Sequence, residues 1–209
     1  MPERRVEVAG GEFTQKLLDG ERDFSGIRLQ AYWGLSSGEV GRSVQEYLAQ
    51  ADLKASPIIF EKADLTGLDA DGLSLPHLEA KGAIFKHATM MESNLESSQL
   101  ANTDFRYARL PQTDMTGCDL RAADLRQADL NLALLKNCML EGADLAGTNL
   151  LFANLQGAKI VGIDHLAQAR SVNTANFQFV SLAEKERAVI RSELWAQEGK
   201  KRRLFGGAG

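Results

Sequence analysis

An apolar residue occupies every fifth position from Phe60 to Ile160, with no insertion or deletion. All 21 positions of this series are apolar, whereas 44% of the whole sequence is hydrophobic. A second series, two residues earlier, is small at 17 of 21 positions. A period of five fits neither a helix nor a strand, because either would scatter the large residues over every face. The chain must therefore turn between repeats.

Many repeats carry Asp or Asn between the small and the large residue, where the side chain can bond nearby backbone groups in a turn. These positions are Asp64, Asn94, Asp104, Asp114, Asp119, Asp124, Asp129, Asp144, Asn149 and Asn154. The resulting phrases ADLTG, AADLRQADL and GADLAGTNL resemble the pentapeptide-repeat family, A(D/N)LXX. The resemblance covers about half of the chain.

The resemblance implies an all-β solenoid, a right-handed quadrilateral β-helix with one pentapeptide on each side and four in each coil. The large and small residues would both point inward. Residues 20 apart would then stack at the strand spacing of about 4.8 Å, and the 21 repeats would form about five coils. The alternative is an α-helical solenoid, because Ala, Leu, Arg and Gln are good helix formers.

The first coil departs from the small-residue rule in a way that supports inward pointing. Large residues occupy four small positions, namely Ile58, Leu68, Leu73 and Leu78. Two of these repeats compensate with Ala70 and Ala80 at the large position. A close-packed interior requires such an exchange of volume.

The flanks suggest a division into residues 1–57, 58–164, 165–180 and 181–209. A short helix is predicted over 12–19, ending at Gly20. An isolated start of the repeat follows, with Phe24, Ile27 and Leu29 in phase. A second helix is predicted over 36–55, with Val40, Val44, Tyr47 and Leu48 at helical spacing. Residues 1–57 would form an N-terminal cap, because an open β-helix end exposes backbone and apolar groups.

Beyond the repeats, a short helix is predicted over 164–170, followed by one repeat-like phrase, TANFQF. Ser181 and Glu184 form a capping-box signature that predicts an α-helix to about Glu198. The candidate self-association stripe of this helix is Leu182, Val189, Ile190, Leu194 and Trp195. Such a stripe must be buried on its own rod, on a second copy in a homodimer, or on a partner protein.

No catalytic residue, metal site or cofactor is predicted. His77, His87 and His165 lie in no metal or triad motif, and we interpret them as surface or turn residues. Cys118 and Cys138 would be stacked free thiols that replace Ala as small buried residues.

Two charged series would share one side of the rod. Asp104, Asp124 and Asp144 would stack in one column, where raised carboxyl pKa values are conceivable, although a turn-forming role needs no further assumption. Lys86, Arg106 and Arg126 would flank this column and compensate its charge.

Apolar residues at outward positions form the candidate interaction patch: Leu132, Leu134, Met139, Leu151 and Phe152. Leu132 and Phe152 are 20 residues apart at one outward phase. A contiguous apolar patch often marks an interface. The patch is predicted to bind a protein or the chain's own C-terminal helix.

Charge and hydropathy narrow the function classes. No apolar run is long enough for a membrane span, and the N-terminus lacks an apolar signal-peptide region, so a cytoplasmic protein is expected. Residues 1–57 hold 9 acidic and 7 basic residues, residues 58–164 hold 15 and 9, and residues 165–209 hold 4 and 8. The net charges are thus −2, −6 and +4, an acidic body with a basic tail.

A stiff solenoid without a deep pocket favours binding, so we predict a non-enzymatic protein–protein interaction scaffold. The resemblance supplies an alternative, because some members of the family mimic duplex DNA, bind DNA gyrase and protect against quinolones. The modest acidity and the unbroken register, which leaves no long loop, weaken this alternative. Nucleic-acid binding through Lys200–Arg203 has only one short basic run to support it.

Overall fold

The computed structural model describes residues 5–30, 33–162, 166–178, 180–182 and 187–192. Two α-helices, α1 (Gly10–Leu18) and α2 (Gly38–Gln50), lie before the regular repeats. Short strands flank the repeats: β1 (Val6–Val8), β2 (Ile27–Leu29), β3 (Lys159–Ile160) and β4 (Ser181–Leu182). Two 3₁₀ turns follow β3, at Leu166–Gln168 and Val172–Thr174.

Single parallel β-bridges join residues 20 apart along the repeats, as the period predicts. The bridges fall into four columns, which define four faces of the rod. Face 1 holds positions 64, 84, 104, 124 and 144, and face 2 holds 69, 89, 109, 129 and 149. Face 3 holds 74, 94, 114, 134 and 154, and face 4 holds 59, 79, 99, 119, 139 and 159. The chain is therefore a β-helix in which each coil takes four repeats.

Each repeat ends in a turn whose third residue is left-handed. From Lys62 to Gly162, the residue two places after the large one has a φ between 55° and 74° at all 21 positions. In the first turn the Ala63 N–H donates to the Phe60 carbonyl at 3.0 Å, the pattern of a type II turn. In the next turn, which runs from Leu65 to Leu68, the carboxylate of the preceding residue, Asp64, accepts the backbone N–H of Thr66. This Asp side chain therefore stabilises the turn, as predicted.

Both repeat columns point into the core. Leu68, Leu73, Ala70 and Ala80 are all buried, which agrees with the predicted exchange of volume. The rings of Phe85 and Phe105, one coil apart, are stacked with centroids 5.1 Å apart.

Most polar residues in the small column donate to carbonyls of the preceding coil, and Thr103 donates to Leu100 O of its own coil. The Thr113 hydroxyl donates to Met90 O at 2.6 Å, and the Cys118 thiol donates to Leu95 O at 3.0 Å. Ser, Thr and Cys can therefore replace Ala without leaving a buried donor unsatisfied.

The N-terminal end of the rod is covered by the two helices and a partial coil. Asp23, Arg28 and Gly34 bridge to the first regular coil on faces 4, 1 and 2, and α2 follows where face 3 would begin. Phe13 of α1 is fully buried and meets Phe24 at 4.7 Å. A Cβ at Gly10 would overlap the Trp33 ring, so glycine permits the close approach of α1.

The four residues of the second helix that are at helical spacing differ in burial. Val44 and Leu48 are buried and Tyr47 is half-buried, but Val40 is 39% exposed. Val40 is in the first turn of α2, so its helical spacing is as predicted although its side chain is exposed. The helix also begins at Gly38 and ends at Gln50, inside the predicted range.

The C-terminal helix does not begin at Ser181. Ser181 and Leu182 form β4, which pairs in parallel with β3, and the Ser181 N–H donates to Ala158 O at 3.0 Å. Leu182 is therefore a strand residue, because pairing with the last coil satisfies its backbone before a helix can start. Residues 187–192 are helical. Leu194 and Trp195 lie outside the described residues.

Two residues of the predicted stripe contact the rod of the same chain. Val189 and Ile190 are half-buried and pack against the hydrophobic core. The phrase TANFQF adds one more rung, because Asn176 bridges to Asn154. Of the three predicted destinations for the stripe, its own rod is the one these contacts favour. No helix in the described part of the chain is long and apolar enough to cross a membrane.

Candidate interaction surface

Face 1 carries a ladder of alternating charges. The Arg106 guanidinium lies 2.6 Å from the Asp104 carboxylate and 3.5 Å from that of Asp124, one coil further on. Arg126 repeats the arrangement, at 2.6 Å from Asp124 and 3.6 Å from Asp144. The acidic column and its flanking arginines therefore neutralise one another, as the charge-compensation interpretation predicts.

The ion pairs of the ladder also affect the pKa of Asp104, its first carboxylate. Burial alone would raise the pKa of Asp104, but hydrogen bonds from the side chain and backbone of Arg106 outweigh it and lower the pKa. The hypothesis of a raised pKa is therefore wrong for Asp104. A carboxylate held ionised by its neighbour is poorly suited to donate a proton.

Asp119 on face 4 forms a similar pair, and it supports a prediction about acid stability. Its carboxylate is buried and accepts two bonds from the Arg121 guanidinium, at 2.6 and 2.8 Å, which lower the pKa of Asp119. Because the folded pKa lies below the unfolded one, the stabilisation is complete above about pH 4 and is lost as the pH falls through the folded value.

Replacing Asp119 with Asn should lower the free energy of unfolding by about 1 kcal/mol at pH 7. The cost should be smaller at pH 3, because the stability that this carboxylate contributes declines once the pH falls below its unfolded pKa of about 4. Urea unfolding at both pH values measures this difference. A cost that is equal at both would show that the ion pair does not contribute.

The two cysteines have the environment of structural residues. Both are free and buried, and the Cys138 thiol donates to Met115 O at 2.9 Å. Burial raises the pKa of Cys138 to about 12 and that of Cys118 well above its ordinary value. Both sulfurs are therefore protonated at neutral pH, and a thiol is a weak nucleophile.

The described histidines occupy turns. His77 and His87 both have a φ of 59°, at the left-handed position, and the ring of His87 stacks on Tyr107 at 5.1 Å. His165 lies outside the described residues. Among the described residues, no group of three His, Cys, Asp or Glu side chains could hold a metal ion.

The predicted apolar patch lies on two adjoining coils. The Leu132 N–H donates to Leu151 O at 2.8 Å, which places the two residues on neighbouring coils. Leu132 is 44% exposed and Phe152 is 59% exposed, while Leu134 and Leu151 are half-buried. Met139, also half-buried, lies on face 4, around the next corner of the rod. The structure thus brings four of the five patch residues together on or beside face 3.

Leu132 and Phe152 both occupy the strained position of the turn. Their φ values are 59° and 55°, a conformation that is costly for bulky residues. Glycine fills the equivalent position in 8 of the 21 repeats, so the turn itself does not require an apolar side chain. These two residues therefore combine backbone strain with exposure of apolar surface. The recurring glycine is a sequence signal that could have revealed this strain.

The structure adds a cleft that the sequence did not reveal. Its volume is about 430 Å³, and it lies where β1 and β2 meet the first coil. Arg28 crosses it between Asp64, at 3.2 Å, and Glu7, at 3.8 Å. Both carboxylates are thus already paired with this guanidinium. The cleft is lined by Glu7, Val8, Ala9, Arg28, Leu29, Gln30, Asp64 and Thr66.

Comparison with known proteins identifies the class. The model of the family described as pentapeptide repeats matches residues 98–137 and 128–164, with eight copies of the repeat. The chain is a β-helix repeat protein, and residues 98–164 carry pentapeptide repeats of the kind that this family model describes. A search of the curated proteins found no significant match.

Several solved structures are similar. QnrB1, a plasmid-mediated fluoroquinolone resistance protein, has 15% identity and a TM-score of 0.45, with 82% of each chain covered. A pentapeptide repeat protein from the Arabidopsis thaliana thylakoid lumen has 27% identity and a TM-score of 0.32, covering 61% of this chain and 74% of that one. HetL of Nostoc sp., involved in heterocyst differentiation regulation, has 22% identity and a TM-score of 0.29, covering 86% and 95%.

Proposed function

We propose that this chain is a non-enzymatic scaffold, built as a right-handed quadrilateral β-helix, that binds a protein partner through the apolar patch on face 3. The observation that carries the proposal is that Leu132 and Phe152 each lower the stability of the free chain in two ways. Each is exposed, and each holds a left-handed backbone that is unfavourable by about 1 kcal/mol relative to glycine. A residue that destabilises the free protein is expected where its surface is buried on binding.

The state of the polar groups supports a binding role over a catalytic one. Asp104 and Asp119 have lowered pKa values, and both thiols are held protonated by burial. General acid–base catalysis instead needs groups whose pKa lies near the working pH. The flat faces of the rod suit contact with another macromolecule.

The double change Leu132→Asn and Phe152→Asn tests the proposal. Asn tolerates the left-handed conformation, so the free energy of unfolding should stay equal or rise by up to about 1 kcal/mol. Capture from the native cell extract should then lose a partner that the unchanged chain retains. The matched control is Tyr107→Asn, which removes an exposed aromatic residue at the same turn position on another edge of the rod.

The outcomes separate cleanly. A partner that is lost with the double change and kept with Tyr107→Asn supports the patch. Equal capture by all three chains contradicts it. A fall in the stability of the double variant would show that Leu132 and Phe152 serve the fold instead.

DNA mimicry with DNA gyrase as the partner is the alternative function. Along face 1, each of Asp104, Asp124 and Asp144 lies within 4 Å of an arginine of the same chain. A duplex mimic needs carboxylates that remain available as phosphate substitutes, so this ladder disfavours face 1 for that role. Inhibition of purified gyrase by the chain would favour the alternative.

A further inference from the structure

Face 3 divides into an acidic part and an apolar part along the rod. The face begins at residues 71–77, and four further runs cross it in successive coils: residues 91–97, 111–117, 131–137 and 151–157. The first two of these four runs contain three carboxylates and no lysine or arginine, namely Glu92, Glu96 and Asp114. The last two runs carry four of the five patch residues and a single charged residue, Lys136.

The acidic part differs from the charge ladder of face 1. None of its three carboxylates forms an ion pair with a described residue, whereas those of face 1 are paired with Arg106 and Arg126. Glu92 and Glu96 are exposed, and Asp114 is half-buried. Glu92 does accept a bond from Gln112 at 3.4 Å, but this amide carries no charge. The negative charge of the acidic part is therefore not neutralised by an ion pair with a described residue of the rod.

The dimensions of the face limit what can bind it. Coils are spaced by about 4.8 Å, so the four runs extend over about 14 Å along the axis. This is the length of about ten helical residues. A segment of that size could lay apolar side chains on Leu132 and Phe152 while its other end lies over the carboxylates.

We propose that face 3 binds a basic amphipathic segment of a partner protein, with apolar anchors at one end and lysine or arginine at the other. The inference rests on the proposed function and adds the chemistry of the partner. Apolar anchors would supply most of the affinity, and the unpaired carboxylates would select basic partners over acidic ones.

Two synthetic probes test the proposal with the full chain. One is a helical peptide of about 14 residues with Leu and Trp in one half and Lys and Arg in the other; the second has Glu at every basic position. Fluorescence anisotropy should show the basic peptide binding roughly tenfold or more tightly than the acidic one, with a preference that fades at high salt.

Variants of the chain locate the binding. The change Glu92→Gln with Glu96→Gln should weaken the basic peptide by roughly tenfold. The matched control, Glu61→Gln with Glu79→Gln, removes the same charge away from face 3 and should leave binding unchanged. Equal weakening by both pairs overturns the proposal. If Leu132→Asn with Phe152→Asn abolishes binding but Glu92→Gln with Glu96→Gln does not, the proposed function stands and this inference fails.

Two other possible occupants of face 3, the chain's own tail and a second copy of the chain, would give different experimental results. The chain's own tail is basic at Lys200–Arg203. If changing these four residues to Gln tightens peptide binding by about tenfold, the tail occupies face 3 and the proposal is overturned. A chain that is dimeric in solution, and monomeric with Leu132→Asn and Phe152→Asn, would assign the face to a second copy and also overturn it.

Discussion

Replacing Phe105 with Ala should lower the free energy of unfolding by about 3–5 kcal/mol, among the largest effects of any single truncation in the rod. Phe105 is completely buried in a middle coil, and its ring stacks on Phe85 at 5.1 Å. Truncation removes both the buried surface and the stacking contact, and the coils above and below hold the cavity open. Urea or thermal unfolding measures the change.

Phe152 provides a matched control for this truncation. Phe152→Ala removes the same atoms from a side chain that is 59% exposed, so it should change the stability by no more than about 0.5 kcal/mol. Both residues belong to the repeats, but only Phe105 is in the large column. Equal costs for the two truncations would contradict the assignment of inward and outward positions.

A substitution in the N-terminal cap should have the second large effect on stability. Phe13→Ala is expected to lower the free energy of unfolding by about 3–5 kcal/mol, because the side chain of Phe13, which α1 directs at the first coils, is fully buried. Its ring meets Phe24 at 4.7 Å and Phe60 at 5.9 Å. Without it, α1 loses its central contact with the open end of the rod, whose backbone and apolar groups then become accessible.

The loss of stability should be concentrated near the N-terminal end of the rod. Each coil of a repeat protein contacts only its neighbours, so Phe13→Ala should speed amide hydrogen exchange near Phe24 and Phe60 more than near Leu150. Gln15→Ala, an exposed change on the same helix, is the control. Uniform acceleration along the rod would mean that α1 does not act as an end cap.

The repeat columns could be predicted from the sequence because one physical constraint fixes them. Inward residues must be apolar and must share a limited volume, so the period of five and the exchange between Leu68 and Ala70 are both visible in the sequence. The Asp and Asn positions follow for the same local reason, since their side chains bond the backbone two residues on.

The structure of the flanks is harder to predict from the sequence, because it depends on contacts with residues that are distant in the chain. The sequence around Ser181 has the local signature of a helix start, yet Ser181 pairs with Lys159 as a strand. Val40 has the spacing of a buried helix residue, but only the position of the rod decides which side of α2 is covered. The unpaired carboxylates of face 3 likewise depend on which charges other coils bring near them.

The most direct test of the account is whether residues 20 apart on face 3 are neighbours. Glu92 and Gln112 are side-chain partners on adjoining coils, so Glu92→Cys with Gln112→Cys should form an intramolecular disulfide on mild oxidation. Glu92→Cys with Asn102→Cys, only ten residues apart but half a coil away, should not. A crosslink in the second pair, or in neither, would contradict the 20-residue coil and the surface built on it.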